Sequence, residues 1–268
     1  MGLDKGKDQH IMLDSDISEM LVSSASIQED DEILEIGGGP GNLTRLLAKH
    51  AAKVYTVEKD KKYFSILKRK FDDTSNVRPI FGDILDVELP RFNKIVSNPP
   101  YQILQQFFIR LVNERKYGFD CCVMFVPHNF AKIITTKPES DGFGALSALF
   151  YAFYNVEALG NVPKQAFEPM PRVTSHIVRI IPKDNEQKGV RALLTSIFLE
   201  DKKSIRNAII STLWNDGEKC VGKRFTKKQA KEAVGRVSLE LSSILDKNIF
   251  QLSNSEIRVL YKCLESMN

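Results

Sequence analysis

The chain has 268 residues, 43% of them hydrophobic and 27% charged, with a net charge of +4. That length accommodates one substantial core and a small companion domain. No stretch reaches the roughly 18 apolar residues of a membrane span and no signal-like run opens the chain, so a soluble cytoplasmic protein is expected. The four cysteines, Cys121, Cys122, Cys220 and Cys263, form no C-x-x-C. A disulfide framework or a zinc site is not indicated, and no metal is expected.

In chain order, Glu32-Ile33-Leu34-Glu35-Ile36 reads as a short buried strand. Gly37-Gly38-Gly39-Pro40-Gly41 comes next, and Leu43, Leu46 and Leu47 then repeat at helical spacing. Glycines such as Gly37 and Gly39 let backbone approach a ligand closely, and the helix behind them offers free N–H groups. Asn42 stands where a dinucleotide fingerprint has its third glycine, which disfavours a nicotinamide or flavin enzyme. The next strand, Lys53 to Val57, ends on Glu58, a carboxylate placed to accept both hydroxyls of an adenosine ribose. Val77 to Phe81 ends on Gly82-Asp83-Ile84, where Asp83 either takes an adenine amino group or caps a turn. Ile95-Val96 leads into Asn98-Pro99-Pro100-Tyr101.

That last motif suits the presentation of an amino group. An exocyclic amine is a poor nucleophile because its lone pair is delocalised into the ring. The side-chain oxygen of Asn98 and the Pro99 carbonyl each accept one N–H, while Tyr101 stacks on the ring that carries the amine. Consecutive prolines hold these groups in place. Gly loop, Glu58, Asp83 and Asn98 stand in the order, and at the strand ends, that an S-adenosylmethionine site requires.

Beyond the motif come an amphipathic segment, Gln102 to Val112, an apolar strand, Cys121 to Val126, and helical segments reaching Phe153. Strand patterns at Asn155 to Val162 and His176 to Ile181 flank a loop carrying Phe167. Phe167 sits among polar residues and prolines, which makes it a stacking candidate opposite Tyr101. About seven strands are expected in a mostly parallel sheet with an antiparallel edge strand. The polar stretch Pro182 to Gly189 reads as a linker, so the boundary is set between a domain of residues 1–183 and one of 184–268. The second contains five helical patterns and the whole net charge: 15 Lys/Arg against 11 Asp/Glu, where residues 1–183 have 23 of each. Lys202, Lys203, Lys227 and Lys228 suit the phosphates of a folded RNA, although a solvated helix face explains such charges too.

The chain resembles the ribosomal RNA adenine N6,N6-dimethyltransferases. Gln9-His10-Ile11-Met12-Leu13-Asp14 is similar to that family's Q-N-F-L-x-D segment, Phe167-Glu168-Pro169-Met170-Pro171-Arg172-Val173-Thr174-Ser175 to its F-x-P-x-P-x-V-x-S segment, and Lys203-Ser204-Ile205-Arg206-Asn207 to its K-x-L-R-N helix. The departures are His10 for Asn, Ile11-Met12 for Phe-Leu, and Pro99 where the family has Leu or Ile. The resemblance implies an α/β, Rossmann-like methyltransferase domain followed by a small all-helical domain that binds RNA through residues including Arg206. It implies S-adenosylmethionine as methyl donor, held by His10, Met12, Gly37, Gly39, Glu58, Asp83 and Asn98. Asn98, Pro99, Tyr101 and Phe167 would be the catalytic residues. The substrate would be two adjacent adenines in a small-subunit ribosomal RNA hairpin, met as RNA or as an immature subunit by a monomeric enzyme. A DNA adenine methyltransferase, or another Asn-Pro-Pro-Tyr amino-methyltransferase, explains residues 32–101 equally well but not the Gln9 and Phe167 segments together. An assembly factor for which methylation is secondary is the other alternative.

Overall fold

The computed structural model describes residues 10–113, 118–183, 188–199, 203–235 and 239–265. Lys202 and Gln9 lie outside the described residues. The elements are β1 (Ile11–Met12), α1 (Ser15–Ser24), β2 (Glu32–Ile36), α2 (Asn42–Leu47), β3 (Lys53–Glu58), α3 (Lys61–Lys70), β4 (Val77–Phe81) and β5 (Lys94–Ser97). They continue as α4 (Leu104–Asn113), β6 (Cys121–Pro127), α5 (His128–Ile134), α6 (Ala145–Phe153), β7 (Tyr154–Val162), β8 (Phe167–Glu168) and β9 (Ser175–Pro182). Helices complete the chain: α7 (Lys188–Leu199), α8 (Ile205–Val221), α9 (Lys227–Gly235), α10 (Leu239–Ser242) and α11 (Asn254–Glu265).

Seven strands form one sheet in the order β4-β3-β2-β5-β6-β9-β7. The pairs β2–β3, β2–β5, β3–β4 and β5–β6 are parallel. Parallel strands covered on both faces are apolar throughout, which is why β2 and β6 read as near-continuous runs. Ile33, Leu34, Val54, Ile95, Val96, Val123 and Met124 are fully buried. The antiparallel strand is not the edge strand that the sequence implied. It is β9, paired with β6 from Cys122↔Ile180 to Pro127↔Ser175, with β7 outside it. A second, two-stranded sheet joins β1 to β8 with Met12 opposite Phe167.

The chain divides into two compact units, Met1–Ala131 with Val156–Pro182, and Lys132–Asn155 with Lys183–Asn268. Residues 132–155 thus group with the C-terminal helices, whereas the sequence places them before the linker. Their aromatic content accounts for this. Within the second unit, Phe143 and Tyr151 each pack edge-on against the fully buried Tyr261 of α11, with ring centroids 5.6 Å apart.

In the first unit the adjacent strands β2 and β5 are fastened at both ends. At the start, Lys94 Nζ lies 2.7 Å from the Asp31 carboxylate, and both groups are buried. Asn93 donates to Asp31 at 2.6 Å and accepts the Glu32 N–H at 2.8 Å. At the far end, Ser97 Oγ donates to the Ile36 carbonyl at 2.8 Å and accepts the Ile36 N–H at 3.1 Å. Burial pushes the Asp31 carboxyl up, but the Gln28 N–H, Lys94 and Asn93 outweigh it and hold the group below its ordinary value. A carboxyl depressed in the fold adds stability above its unfolded pKa and loses it as pH falls through the folded one. Asp31→Ala, which leaves the Lys94 ammonium buried without its counter-charge, is expected to lower unfolding stability at neutral pH by about 3 kcal/mol. Urea unfolding should show the gap to the parent narrowing below about pH 4; a gap independent of pH would mean that the ion pair is not its source.

Candidate active site

In an open parallel sheet, the strand order reverses where two neighbouring strands send their crossovers to opposite sides, and a crevice opens at their C-terminal ends. Here that point lies between β2 and β5. A cleft of about 1040 Å³, open to solvent, occupies it. Its walls are the segments just beyond β2, β3, β4 and β5, together with His10 to Met12. His10, Met12, Gly37, Gly39, Glu58, Asp83, Asn98, Pro99 and Tyr101 all line this one cleft.

The glycine loop forms its floor. Gly39 has a φ of +52°, the left-handed region that disfavours a side chain, and nothing lies within 4 Å of where its Cβ would be. Gly38 is packed instead: a Cβ there would stand 2.1 Å from Thr56 Oγ1. From outside, Lys70 Nζ donates to the Pro40 and Gly41 carbonyls at 2.7 and 3.2 Å, which holds the turn that opens α2.

Three carboxylates face the cleft. Glu58 is buried, with one oxygen accepting the Gly39 N–H at 2.9 Å and the other the Asp60 N–H at 2.8 Å. The Lys59 N–H also bonds to this carboxylate, so its four lone pairs exceed its backbone donors by one. Burial raises the Glu58 carboxyl above its ordinary value against the pull of those N–H groups. Asp83 accepts the Leu85 N–H on one oxygen at 3.0 Å, and Lys59 stands 3.5 Å from the other. Asp83 thus caps its turn and lines the cleft. Glu35 was not among the sequence candidates. It is 1% exposed, accepts the Thr44 hydroxyl at 2.5 Å, and lines the cleft beneath the loop. Burial pushes its carboxyl up to about 7, with the Glu58 charge adding to the rise and Thr44 opposing it. Its one advance signal was a charge inside an apolar strand.

Asn98 is oriented by a distant segment. Its Nδ2 donates to the His10 carbonyl at 2.7 Å. Because one end of the amide donates and the other accepts, this fixes where Oδ1 points. His10 is itself held, its Nδ1 2.7 Å from the Pro169 carbonyl. The Tyr101 hydroxyl meets Ser175 Oγ at 2.5 Å, and its ring lies 6.1 Å from the His10 ring. Ser175, which steadies this wall, closes the F-x-P-x-P-x-V-x-S-like segment but was not singled out as a site residue, and Phe125 had no distinguishing signal in the sequence.

Phe167 does not line the cleft. It is 3% exposed and packs edge-on against Phe125, with ring centroids 5.6 Å apart, and it is Phe125 that reaches the cleft. The expectation of a stacking face on a polar loop is corrected here, since pairing of β8 with β1 folds Phe167 inward with Met12. In the second unit, Lys203, Lys227 and Lys228 are exposed, while Arg206 bonds to Asp246 at 2.8 Å. Among the described residues no group of three or more His, Cys, Asp or Glu side chains is arranged to hold a metal ion, and no helix is long and apolar enough to cross a membrane.

Comparison with known proteins gives a consistent result. The family described as "Ribosomal RNA adenine dimethylase" matches residues 5–244. A protein of Methanococcoides burtonii named "Probable ribosomal RNA small subunit methyltransferase A" is 34% identical over 208 residues, 76% of each chain. A protein of the same name from Methanosphaera stadtmanae is 30% identical over 267 residues, covering 98% of this chain and 94% of its own. Among solved structures, a dimethyladenosine transferase from Plasmodium falciparum superposes with a TM-score of 0.64 at 25% identity, over 94% of this chain and 97% of the other. The 23S rRNA methyltransferase ErmE shares the fold, with a TM-score of 0.60 at 19% identity over 95% and 99% of the two chains.

The raised Glu35 carboxyl has a measurable consequence. A carboxyl whose folded pKa lies above its unfolded one adds stability below the unfolded value and loses it as pH rises through the folded value. Between its ordinary 4.5 and about 7, ionising Glu35 should cost the fold on the order of 3 kcal/mol. Glu35→Gln should remove that slope, so that the variant gains on the parent between about pH 5 and about pH 8 in urea unfolding. Parallel curves for the two proteins would show that Glu35 titrates normally.

Proposed function

The chain belongs to the ribosomal RNA adenine dimethylase family, and on that premise we propose that it dimethylates N6 of two adjacent adenines in a small-subunit ribosomal RNA hairpin, with S-adenosylmethionine as methyl donor. The family match also covers residues before 32 and after 101, which a DNA-directed reading leaves unexplained. The observation that carries the proposal is the bond from Asn98 Nδ2 to the His10 carbonyl, which commits the acceptor end of the amide beside Tyr101.

The cleft fits the donor on three counts. Gly39 leaves its approach open, Glu58 keeps acceptor capacity for a ribose hydroxyl beyond its backbone donors, and one oxygen of Asp83 is not used by the Leu85 N–H. Met12 and the His10 segment close the same space from above. When bound there, S-adenosylmethionine supplies a methyl group already activated on a sulfonium.

The task of the protein's own residues is alignment. Asn98 Oδ1 and the Pro99 carbonyl accept the two N–H groups of the target amine and draw its lone pair out of conjugation. Tyr101 offers a ring against the base, and the bond to Ser175 fixes the ring's attitude. Phe167 contributes from behind, through Phe125, and the base meets one aromatic plate. The exposed cations of the second unit, Lys203, Lys227 and Lys228, supply the sequence-independent attraction for RNA phosphates.

Asn98→Ala removes an acceptor that acts as the transition state forms. It should therefore lower the methylation rate on unmethylated small subunits by on the order of 100-fold with RNA affinity nearly unchanged. Methylation at the parental rate would dismiss the amide from catalysis. Glu58→Ala should weaken S-adenosylmethionine binding by about 1.5–3 kcal/mol in calorimetry. Because the Glu58 carboxyl is raised and accepts best when ionised, the parent's affinity should begin to fall at a higher pH than an ordinary glutamate would impose. Unaltered affinity in the variant would remove Glu58 from the site.

A further inference from the structure

Trp214, the single tryptophan of the chain, lies on α8 with 48% of its surface exposed. The same helix buries Ile209, Thr212, Leu213 and Gly217, so Trp214 stands on its outer side. Its surroundings are positive. Lys227 Nζ lies 5.1 Å from its ring centre, and Lys223 stands in the same relation to Phe225 at 5.5 Å. Residues 214–231 hold six Lys/Arg against two Asp/Glu, a surplus equal to the net charge of the entire chain. One of those two acids, Glu218, is neutralised by Arg224 at 2.5 Å.

The arrangement is built by the hairpin between α8 and α9. Helix α8 ends on Gly222 at a φ of +66°, and the chain turns back so closely that a Cβ on Gly217 would stand 2.7 Å from the Lys223 carbonyl and 2.8 Å from the Phe225 ring. This close approach brings the first residue of α9, Lys227, over the Trp214 ring.

We propose that Trp214 is a stacking platform for one unpaired base of the RNA substrate, with Lys227, Lys228 and Lys231 meeting the phosphates on either side of it. An aromatic ring with a cation over one face offers its exposed remainder to a base, and the neighbouring cations meet the phosphates, a pairing that suits single-stranded nucleic acid because every base has a π-face and every linkage a charge. The inference rests on the reading of the chain as a ribosomal RNA enzyme and adds a second contact, outside the methyl-transfer cleft.

The test uses the intrinsic fluorescence of the full chain, to which Trp214 is the only tryptophan contribution. Titration with an unmodified small-subunit ribosomal RNA transcript should quench the emission with the same midpoint as RNA binding. Trp214→Ala should weaken that binding roughly 5- to 150-fold while S-adenosylmethionine affinity stays as in the parent, and Trp214→Phe, which keeps a ring, should recover most of the loss. RNA binding with unchanged emission, or equal affinity in Trp214→Ala, overturns the platform and leaves the enzymatic reading standing. Quenching by assembled subunits alone, with none by the transcript, would assign the surface to a protein partner and also overturns it. A parent chain that neither binds nor methylates the RNA, as transcript or within small subunits, defeats both readings.

Discussion

The hydrogen bond from Asn98 to the backbone of His10 is the constraint on which the site depends. A primary amide has a donor end and an acceptor end of nearly equal shape, and nothing local to the Asn-Pro-Pro-Tyr turn decides which faces the cleft. The His10 carbonyl decides it, at 2.7 Å. That carbonyl is in place because β1 pairs with β8 and because His10 Nδ1 contacts the Pro169 carbonyl. The segment before the first strand of the main sheet and the loop before its antiparallel strand therefore act together on a residue that lies between them in sequence. The same small sheet holds Met12 against the cleft.

The main sheet supplies the other half of the geometry. Strands β2 and β5 are bound at one end by the buried Asp31–Lys94 pair and at the other by the Ser97 hydroxyl, which takes over where backbone pairing between them stops. The glycine loop and Asn98 emerge just beyond this hydroxyl, and the cleft lies between them. The acidic pair Glu35 and Glu58 sits under the loop in an environment that resists ionisation of both. A cleft that holds carboxylates in this condition favours a ligand bearing hydroxyl donors and positive charge, which is the character of S-adenosylmethionine.

Much of this was legible in the sequence because a parallel sheet imposes a simple rule: the residues at the C-terminal end of each strand face the same crevice. Gly37, Gly39, Glu58, Asp83 and Asn98 each succeed or close an apolar run, and the runs are long enough to be recognised. Phe167 was not legible in the same way. Its burial comes from a two-residue strand pairing with another two-residue strand far away in the chain, and neither is long enough to show a period. The position of β9 inside the sheet was hidden too, since local pattern reports that a strand exists and not which neighbour it takes. Glu35 announced itself only as a charge in an apolar strand, and its partner Thr44 comes from the next helix. The grouping of residues 132–155 with the C-terminal helices depends on Phe143 and Tyr151 finding Tyr261, a contact that no linker composition encodes.

The central claim is that the cleft between β2 and β5 methylates adenine amines of ribosomal RNA. Its most direct test incubates the purified chain with methyl-labelled S-adenosylmethionine and small ribosomal subunits that lack the modification, with digestion and mass analysis of the labelled nucleoside afterwards. The account predicts that the label appears as N6,N6-dimethyladenosine in small-subunit RNA. Label in any other nucleoside, or none in the RNA while a DNA substrate is methylated, would contradict it.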